Sequence, residues 1–556
     1  MREFAFLNEN SDEIPLDDSI ESLNLATNDR YLVSNSPKLN AEIYAKEINF
    51  YLKNSTENAL VKSKNTLKIY EARASGFDLS MDVDLAKEIG KNILFVSDND
   101  ESEAVSLLAQ NGFKVIKLSH NEIKFIYGEI GELLAVVLRD NDEFEIDFSI
   151  LLVKNAKDYM LRQSGCFEVA NLASDEILSL VNSVSPVYNY KRVIDYDANI
   201  CQYKGRRTLH CAKCVDVCPT VAIMKNDETK ELVFSHIDCV SCGACVSVCP
   251  SGSLDFNFIP RRAFGEVLEL YKDSIILVVD DSVELESLDV NLKPNVLPLF
   301  VKSLNFLSHE HLMELVCTSG ASVVLYGKEF MPPLNEALNL VNEIYEKIYQ
   351  TKSVYKANDL SSLNEALNLA GFIEASKQEI NFYNLKKREI FAKYLLNMIK
   401  DEDYGKTGCG ELVRYGKVEI NTDSCTLCLS CVGACNVGAL YADKSDNSIK
   451  FNASLCTTCG YCETSCAESE TIKVIRDGME LKKSYFEYQT LAQDELFKCV
   501  ECGKEFATVK SVKKIATLLE ASFASDPDKL KTLYCCGECK AKLMLKKQIE
   551  NGDFDE

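Results

Sequence analysis

The sequence predicts a multidomain chain of mixed α+β and α/β character, on three observations. The chain has 556 residues, too many for one core when single domains run to about 100–200 residues. Sixteen of its 24 cysteines fall into four similar segments arranged as two pairs. Around these pairs, strand patterns alternate with helical ones. The order expected is a partly helical N-terminal region at 1–90, an α/β domain at 91–185 and a first cysteine module at 186–262. A second α/β domain follows at 263–395, then a second cysteine module at 396–482 and a small C-terminal module at 483–556.

At 1–90, a helical pattern is expected from Asn40 to Ile69, with Ile43, Ile48, Phe50 and Leu52 set among charges. The next domain shows strands at 92–96, 113–118, 133–138 and 146–153, with a helix from Asp100 to Asn111 closed by Gly112. No glycine-rich phosphate loop follows its first strand, so no nucleotide site is expected. The second α/β domain repeats the style. Strands are expected at 274–279, 296–301 and 321–326. Ser308 caps a helix that Gly320 ends, and a long helix runs from about Pro333 to Tyr349. Both domains are expected to be Rossmann-like.

The four cysteine segments read Cys201-x9-Cys211-x2-Cys214-x3-Cys218, Cys239-x2-Cys242-x2-Cys245-x3-Cys249, Cys425-x2-Cys428-x2-Cys431-x3-Cys435 and Cys456-x2-Cys459-x2-Cys462-x3-Cys466. Three of them have the bacterial spacing for a [4Fe-4S] cluster, and the first has a stretched opening gap. In both pairs, 20 residues separate the last Cys of one half from the first Cys of the next. Chance does not repeat a spacing in this way. A loop of this kind turns three sulfurs inward, and in two-cluster proteins the fourth Cys ligates the other cluster. That rule gives four sets: Cys201, Cys211, Cys214 and Cys249; Cys239, Cys242, Cys245 and Cys218; Cys425, Cys428, Cys431 and Cys466; Cys456, Cys459, Cys462 and Cys435. Four [4Fe-4S] clusters are therefore expected, in modules built of ferredoxin-like βαβ halves.

Cys201 carries the stretched gap. Five residues before the first Cys of each half stands an apolar or aromatic residue: Tyr196, Phe234, Ile420 and Phe451. This places Cys201 in register with Cys239, Cys425 and Cys456 and makes Gln202–His210 an insertion. The alternative is a three-cysteine site holding [3Fe-4S]. Lys204, Arg206 and Arg207 of the insertion are expected to form a solvated face. Pro219 and Pro250 follow the fourth Cys in the first module, while Asn436 and Ala467 stand there in the second.

At the C-terminus, Cys499-x2-Cys502 and Cys536-x2-Cys539 stand 33 residues apart. Four thiolates suit tetrahedral Zn2+ in a zinc-ribbon-like or treble-clef-like module, with rubredoxin-type iron as the rival. Gly503 permits the tight turn, and Ser511–Ala521 is expected to be helical. Cys535, beside Cys536, leaves open which of the two binds.

Composition narrows the functional classes. Apolar content of 46% and charged content of 26% are those of a soluble globular chain. Neither a membrane-spanning run nor a signal peptide is read, so a cytoplasmic location is expected, where cysteines serve metals more than disulfides. A net charge of −24 disfavours nucleic acid and suits a basic patch on a partner protein. No general acid, base or nucleophile constellation stands out, so no independent catalytic activity is expected.

Residues 186–260 and 412–475 resemble dicluster ferredoxin domains. Tyr190–Tyr196 leading into Cys201-Gln-Tyr and Arg207, together with Arg162-Gln-Ser-Gly-Cys166, resembles the bacterial polyferredoxin-like proteins that accompany formate dehydrogenases. Residues 294–327 are similar to the iron–sulfur delta subunit of a hydrogenase, without that family's cysteine ligands. The resemblance implies an electron carrier whose partner is a formate dehydrogenase or hydrogenase-type complex. The alternatives are the iron–sulfur subunit of a larger flavin- or molybdenum-dependent enzyme, or a maturation factor for one.

Overall fold

The computed structural model describes residues 2–8, 14–139, 142–378 and 385–551. The chain divides into two compact units. The first comprises 1–198, 203–207 and 212–385; the second comprises 199–202, 208–211 and 386–556. No described helix is long and apolar enough to cross a membrane.

The first unit holds three layered regions and one cysteine module. Its N-terminal sheet has the order Ile20–Leu23, Arg2–Leu7, Arg30–Ser34, Asn40–Tyr44, with every pair parallel. The helical pattern expected from Asn40 to Ile69 is therefore corrected. Asn40–Tyr44 is a strand, and two helices follow at Lys46–Asn54 and Ala59–Asp78. The break has a local cause: Ser55 is extended, and the side chain of Asn58 accepts from the Val61 N–H at 3.1 Å to begin the second helix. Tyr70 on that helix donates its hydroxyl to Ala5 O at 2.7 Å, which ties helix to sheet.

The next region has a parallel sheet ordered Cys166–Glu168, Ile150–Val153, Asn92–Val96, Lys114–Leu118. An antiparallel meander of Ile123–Glu129, Glu132–Arg139 and Asp142–Phe148 packs with it. The single strand expected at 146–153 is two strands, because the chain leaves the meander at Phe148 and joins the parallel sheet at Ile150. Two buried clusters flank the parallel sheet. One of them includes the helices Ser102–Gln110 and Ser174–Val184.

The third region is a parallel sheet ordered Val296–Val301, Ile275–Asp280, Val323–Tyr326, Val354–Ala357. All six residues of Ile275–Asp280 are buried, as a parallel strand covered on both faces requires. The helix His309–Ser319 starts after Ser308 and stops at Gly320, whose φ of +66° is left-handed and closes it through a bond to Val316 O. The long helix occupies Pro332–Tyr349.

Between the helices Arg261–Leu268 and His309–Ser319, desolvation and the Glu310 carboxylate push Glu314 up to about 8, against the pull of Arg261. Between the ordinary carboxyl value of 4.5 and about 8, the folded state keeps a proton that the unfolded chain has released. Stability should therefore fall as pH rises through that window. Urea unfolding at pH 5 and pH 8 should show Glu314→Gln flattening this slope. An unchanged slope would assign the pH dependence to other groups.

The two cysteine modules share one plan. In the first, Ile194–Tyr196 pairs with Leu254–Phe256, and Ile223–Asn226 pairs with Glu231–Phe234. In the second, Lys417–Ile420 pairs with Ile472–Ile475, and Leu440–Asp443 pairs with Ser448–Phe451. All four ribbons are antiparallel, and each half runs strand, helix, strand, as expected of βαβ halves. The two strands of a half do not pair with each other, and the short hairpin links join one half to the next. The outer ribbon of each module instead joins the strand before one half to the strand after the other.

In the second unit, the helix Lys387–Ile399 precedes the module, and the C-terminal part follows it. That part is a hairpin, Leu496–Lys498 with Glu505–Thr508, and three helices at Val509–Phe523, Pro527–Thr532 and Gly537–Asn551.

Candidate metal centres

The cysteine loops share a backbone signature as well as a spacing. In Cys239–Cys245 the residues at positive φ are Ser241 (57°) and Gly243 (75°). In Cys425–Cys431 they are Leu427 (50°) and Leu429 (62°), and in Cys456–Cys462 they are Thr458 (53°) and Gly460 (85°). Each loop thus turns left-handed just before and just after its middle Cys. This alternation swings successive N–H groups toward one point and makes an anion-binding concavity. Thr458 N–H donates to Cys456 Sγ at 3.3 Å. Only in the Cys425 loop are both left-handed positions leucines, and a side chain there costs about 1–2 kcal/mol per residue.

Short helices at Ala244–Val248, Ser430–Ala434 and Tyr461–Ser465 lead away from these loops and deliver the fourth cysteines, Cys249, Cys435 and Cys466, at their ends. Three cavities result. Cys218, Cys239, Cys242 and Cys245 line one in the first unit, with Ile223 and Phe234 among its apolar walls. Cys425, Cys428, Cys431 and Cys466 line another in the second unit. Cys435, Cys456, Cys459 and Cys462 line the third, also in the second unit. Each cavity collects three sulfurs from one half and the last sulfur from the opposite half.

The thiols in these cavities are electrostatically crowded. Desolvation pushes Cys239 up to about 11 despite the Ser241 N–H. Desolvation and the neighbouring sulfurs Cys425, Cys466 and Cys428 push Cys431 up to about 12. Cys456 also rises to about 12 through desolvation, although the Thr458 N–H and the Arg388 charge oppose it. Cys245 rises well above the ordinary thiol range, through desolvation and then through Cys239, Cys242, Cys214 and Cys218. Positive metal in the cavity would relieve both the desolvation and the repulsion, so the donor set fits a bound iron–sulfur cube.

Of the remaining set, Cys214 and Cys249 belong to the first unit, and Cys201 and Cys211 to the second; its assignment rests on spacing. The inserted segment answers the departure from Pro at 436. Within the second unit, the Asn436 amide donates to Asn199 O at 2.8 Å and Cys201 O at 3.0 Å and accepts from Gln202 Nε2 at 2.7 Å. Proline could make none of these bonds. Lys204 and Arg207 are exposed as expected, but Arg206 is buried, which corrects the solvated face. His210 reaches the Cys459 loop: Nδ1 lies 3.2 Å from Cys459 O, and its ring meets Tyr461 edge-on at 5.0 Å.

Arg388 is a site residue that sequence reasoning missed. It is buried, donates to Cys456 O and to Arg414 O, and lies 4.1 Å over the Tyr415 ring. It stands 37 positions before the first cysteine of its module, and no motif links the two.

At the C-terminus, the sulfurs of Cys499, Cys502, Cys536 and Cys539 all lie within 4.8 Å of one another. The hairpin turn supplies the first two. Gly503, at a φ of +73°, donates its N–H to Cys499 O at 2.9 Å. The start of the last helix supplies the other two. Burial would raise Cys499, but N–H groups led by that of Cys536 (3.2 Å) prevail and bring it down to about 6, which favours the thiolate a metal needs. Cys535 instead directs its sulfur to Lys531 O at 3.3 Å.

Residues 208–253 and 417–467 each match a family of 4Fe-4S dicluster domains. The chain carries two 4Fe-4S dicluster domains of ferredoxin type. The second match includes all eight cysteines of its module; the first includes seven and begins beyond Cys201. No curated protein matches the chain. The three sulfur-lined cavities suit an iron–sulfur electron-transfer protein.

Proposed function

We propose that the chain is a cytoplasmic polyferredoxin that carries four [4Fe-4S] clusters and passes electrons to or from a partner oxidoreductase. The observation that carries this reading is the crossed gathering of cysteines. Cys218 stands with Cys239, Cys242 and Cys245, Cys466 with the Cys425 loop, and Cys435 with the Cys456 loop. Cys201, Cys211, Cys214 and Cys249 complete the series by their spacing. Bound cubes would supply one-electron centres. The protein's own part is to exclude water, donate N–H groups to sulfur and, through Arg388, set a positive charge beside the Cys456 loop, which would favour the reduced cluster. The acidic chain suits a basic docking face, and a formate dehydrogenase or hydrogenase-type complex is the partner the resemblance favours. The two α/β regions would serve as Rossmann-like scaffolds.

Anaerobically purified protein should contain about 16 irons and as many sulfides per chain. About eight irons would overturn the four-cluster reading. Reduced samples should give EPR spectra of interacting [4Fe-4S]+ centres.

The C-terminal sulfurs fit one Zn2+ in a treble-clef-like arrangement, a hairpin knuckle opposite a helix start. Cys536→Ser should lose the zinc, and Cys535→Ser should keep it. Metal analysis of the two variants decides between the neighbouring thiols, and the reverse result would reassign the site to Cys535.

A further inference from the structure

The first unit contains a cavity of about 300 Å3 that no cysteine lines. It is at the lower end of the usual range for small-molecule sites. Its aromatic wall is formed by Phe77, Phe258, Tyr271 and Phe300. The Tyr271 hydroxyl is already bonded to Pro298 O at 2.9 Å, so the cavity has its ring to meet and not its hydroxyl. Such walls favour a planar conjugated ring, which gains from stacked and edge-on contacts.

The charges at the wall argue against an anion. Arg73 is paired with the buried Glu47 at 2.6 Å and lies 4.0 Å over the Phe300 ring. Lys191 is held by Asp82 at 2.5 Å, and Lys302 by Asp281 at 2.7 Å. Each of these cations already has its carboxylate. A phosphate would compete with these carboxylates for the cations, whereas an uncharged ring would not.

A chain of ring contacts leads from this cavity to a cysteine loop. Phe258 meets Phe256 at 5.4 Å, and Phe256 stacks on Phe306 at 5.0 Å. Phe306 in turn packs on Gly243, so closely that a Cβ at Gly243 would collide with it. Gly243 lies between Cys242 and Cys245 of the second cysteine set.

From this juxtaposition we infer that the cavity is a binding site for an uncharged, planar, redox-active ring of the quinone or isoalloxazine class, which exchanges electrons with the Cys239 loop across Phe306, Phe256 and Phe258. The electron exchange rests on the reading of that cysteine set as a [4Fe-4S] site. In the reductive direction, two reduced clusters each give up one electron. With two protons from solvent, these convert the ring's conjugated C=O or C=N pair to the dihydro form.

Gly76 provides a clean test. It lies on the helix Ala59–Asp78, it lines the cavity, and a Cβ added to it meets nothing within 4 Å. A large side chain there can fill the cavity without disturbing the backbone, and replacing a helical glycine favours the helix. The anaerobic full-length protein would be dialysed against menadione, riboflavin and FMN. Saturable binding of one menadione or riboflavin per chain is expected, and the arm that binds assigns quinone or flavin. FMN should bind no more tightly than riboflavin. Gly76→Phe should weaken the ring at least tenfold with iron content and EPR spectrum unchanged, while Gly76→Ala should bind as before. Reduced protein, freed of excess reductant, should transfer two electrons per menadione, more slowly in Gly76→Phe. Iron-replete protein that binds neither uncharged ring, or a Gly76→Phe variant that binds it undiminished, would overturn the site. FMN binding tenfold tighter than riboflavin would overturn its uncharged character. Ring binding by protein that lacks iron would leave the cavity standing and remove the electron path, so the two failures are separable.

Discussion

Cys218→Ala should cost the protein between about one and four of its irons, although Cys218 lies outside the Cys239–Cys249 segment whose cavity it lines. The cavity draws three sulfurs from one loop and its fourth from Cys218, with 20 residues between it and that loop. With three sulfurs left, one iron of a cube has no protein ligand, and the cluster degrades or falls to a three-iron form. Iron and sulfide analysis with EPR measures the result. The specific expectation is that the damage appears in the cluster of the Cys239 loop, while the centres of the second module keep their signals. Intact iron content would mean that Cys218 is not a ligand, and the crossed scheme would fail with it. Cys466→Ala should behave in the same way toward the Cys425 loop, whose cavity Cys466 shares.

Gly243→Val should be nearly as damaging without touching a sulfur. Gly243 has a φ of +75°, and a Cβ there would collide with the side chain and backbone of Phe306. A β-branched residue adds strain at a left-handed position to a clash in a packed core. The expected loss is about 3–4 kcal/mol of stability, with the loop displaced from Phe306. Urea unfolding followed by far-UV circular dichroism reports the loss, and the visible absorbance reports whether the cluster survives. By contrast, Leu429, at a φ of +62° and 40% exposed, occupies the equivalent position in the Cys425 loop without such a neighbour. Of these two positions, Gly243 should therefore be the intolerant one. If Gly243→Val proved as stable as the parent, the close packing of Phe306 would not be a constraint on the loop.

The sites were legible to different depths. The repeat of Cys-x2-Cys-x2-Cys-x3-Cys, with equal separations in both pairs, was enough to locate the loops, because three ligands lie within seven residues and the loop is a local structure. The α/β regions were legible where strands are wholly apolar, as at Ile275–Asp280, and where caps are strong, as at Ser308 and Gly320. Reading failed where the pattern was ambiguous. Asn40–Tyr44 mixes polar and apolar residues and is not separable by pattern from the helices after it, because its partner Arg30–Ser34 is known only in the fold. The split at Ser149 was equally invisible, since apolar residues on either side serve different sheets. The role of Asn436 could not be read from a missing proline, nor that of Arg388 from an arginine in an unremarkable helix.

By itself, the sequence determined the number and spacing of the cysteine loops, the pairing of halves and the alternation with strand–helix regions. These are local properties, set by ligand spacing, turn chemistry and apolar periodicity. The tertiary structure alone decided that the module strands pair as antiparallel ribbons, and that Asn436, His210 and Arg388 are brought to the cysteine segments. It also decided that four aromatic residues from distant segments enclose a cavity. Those outcomes depend on contacts between residues tens to hundreds of positions apart, and packing, not spacing, brings such residues together.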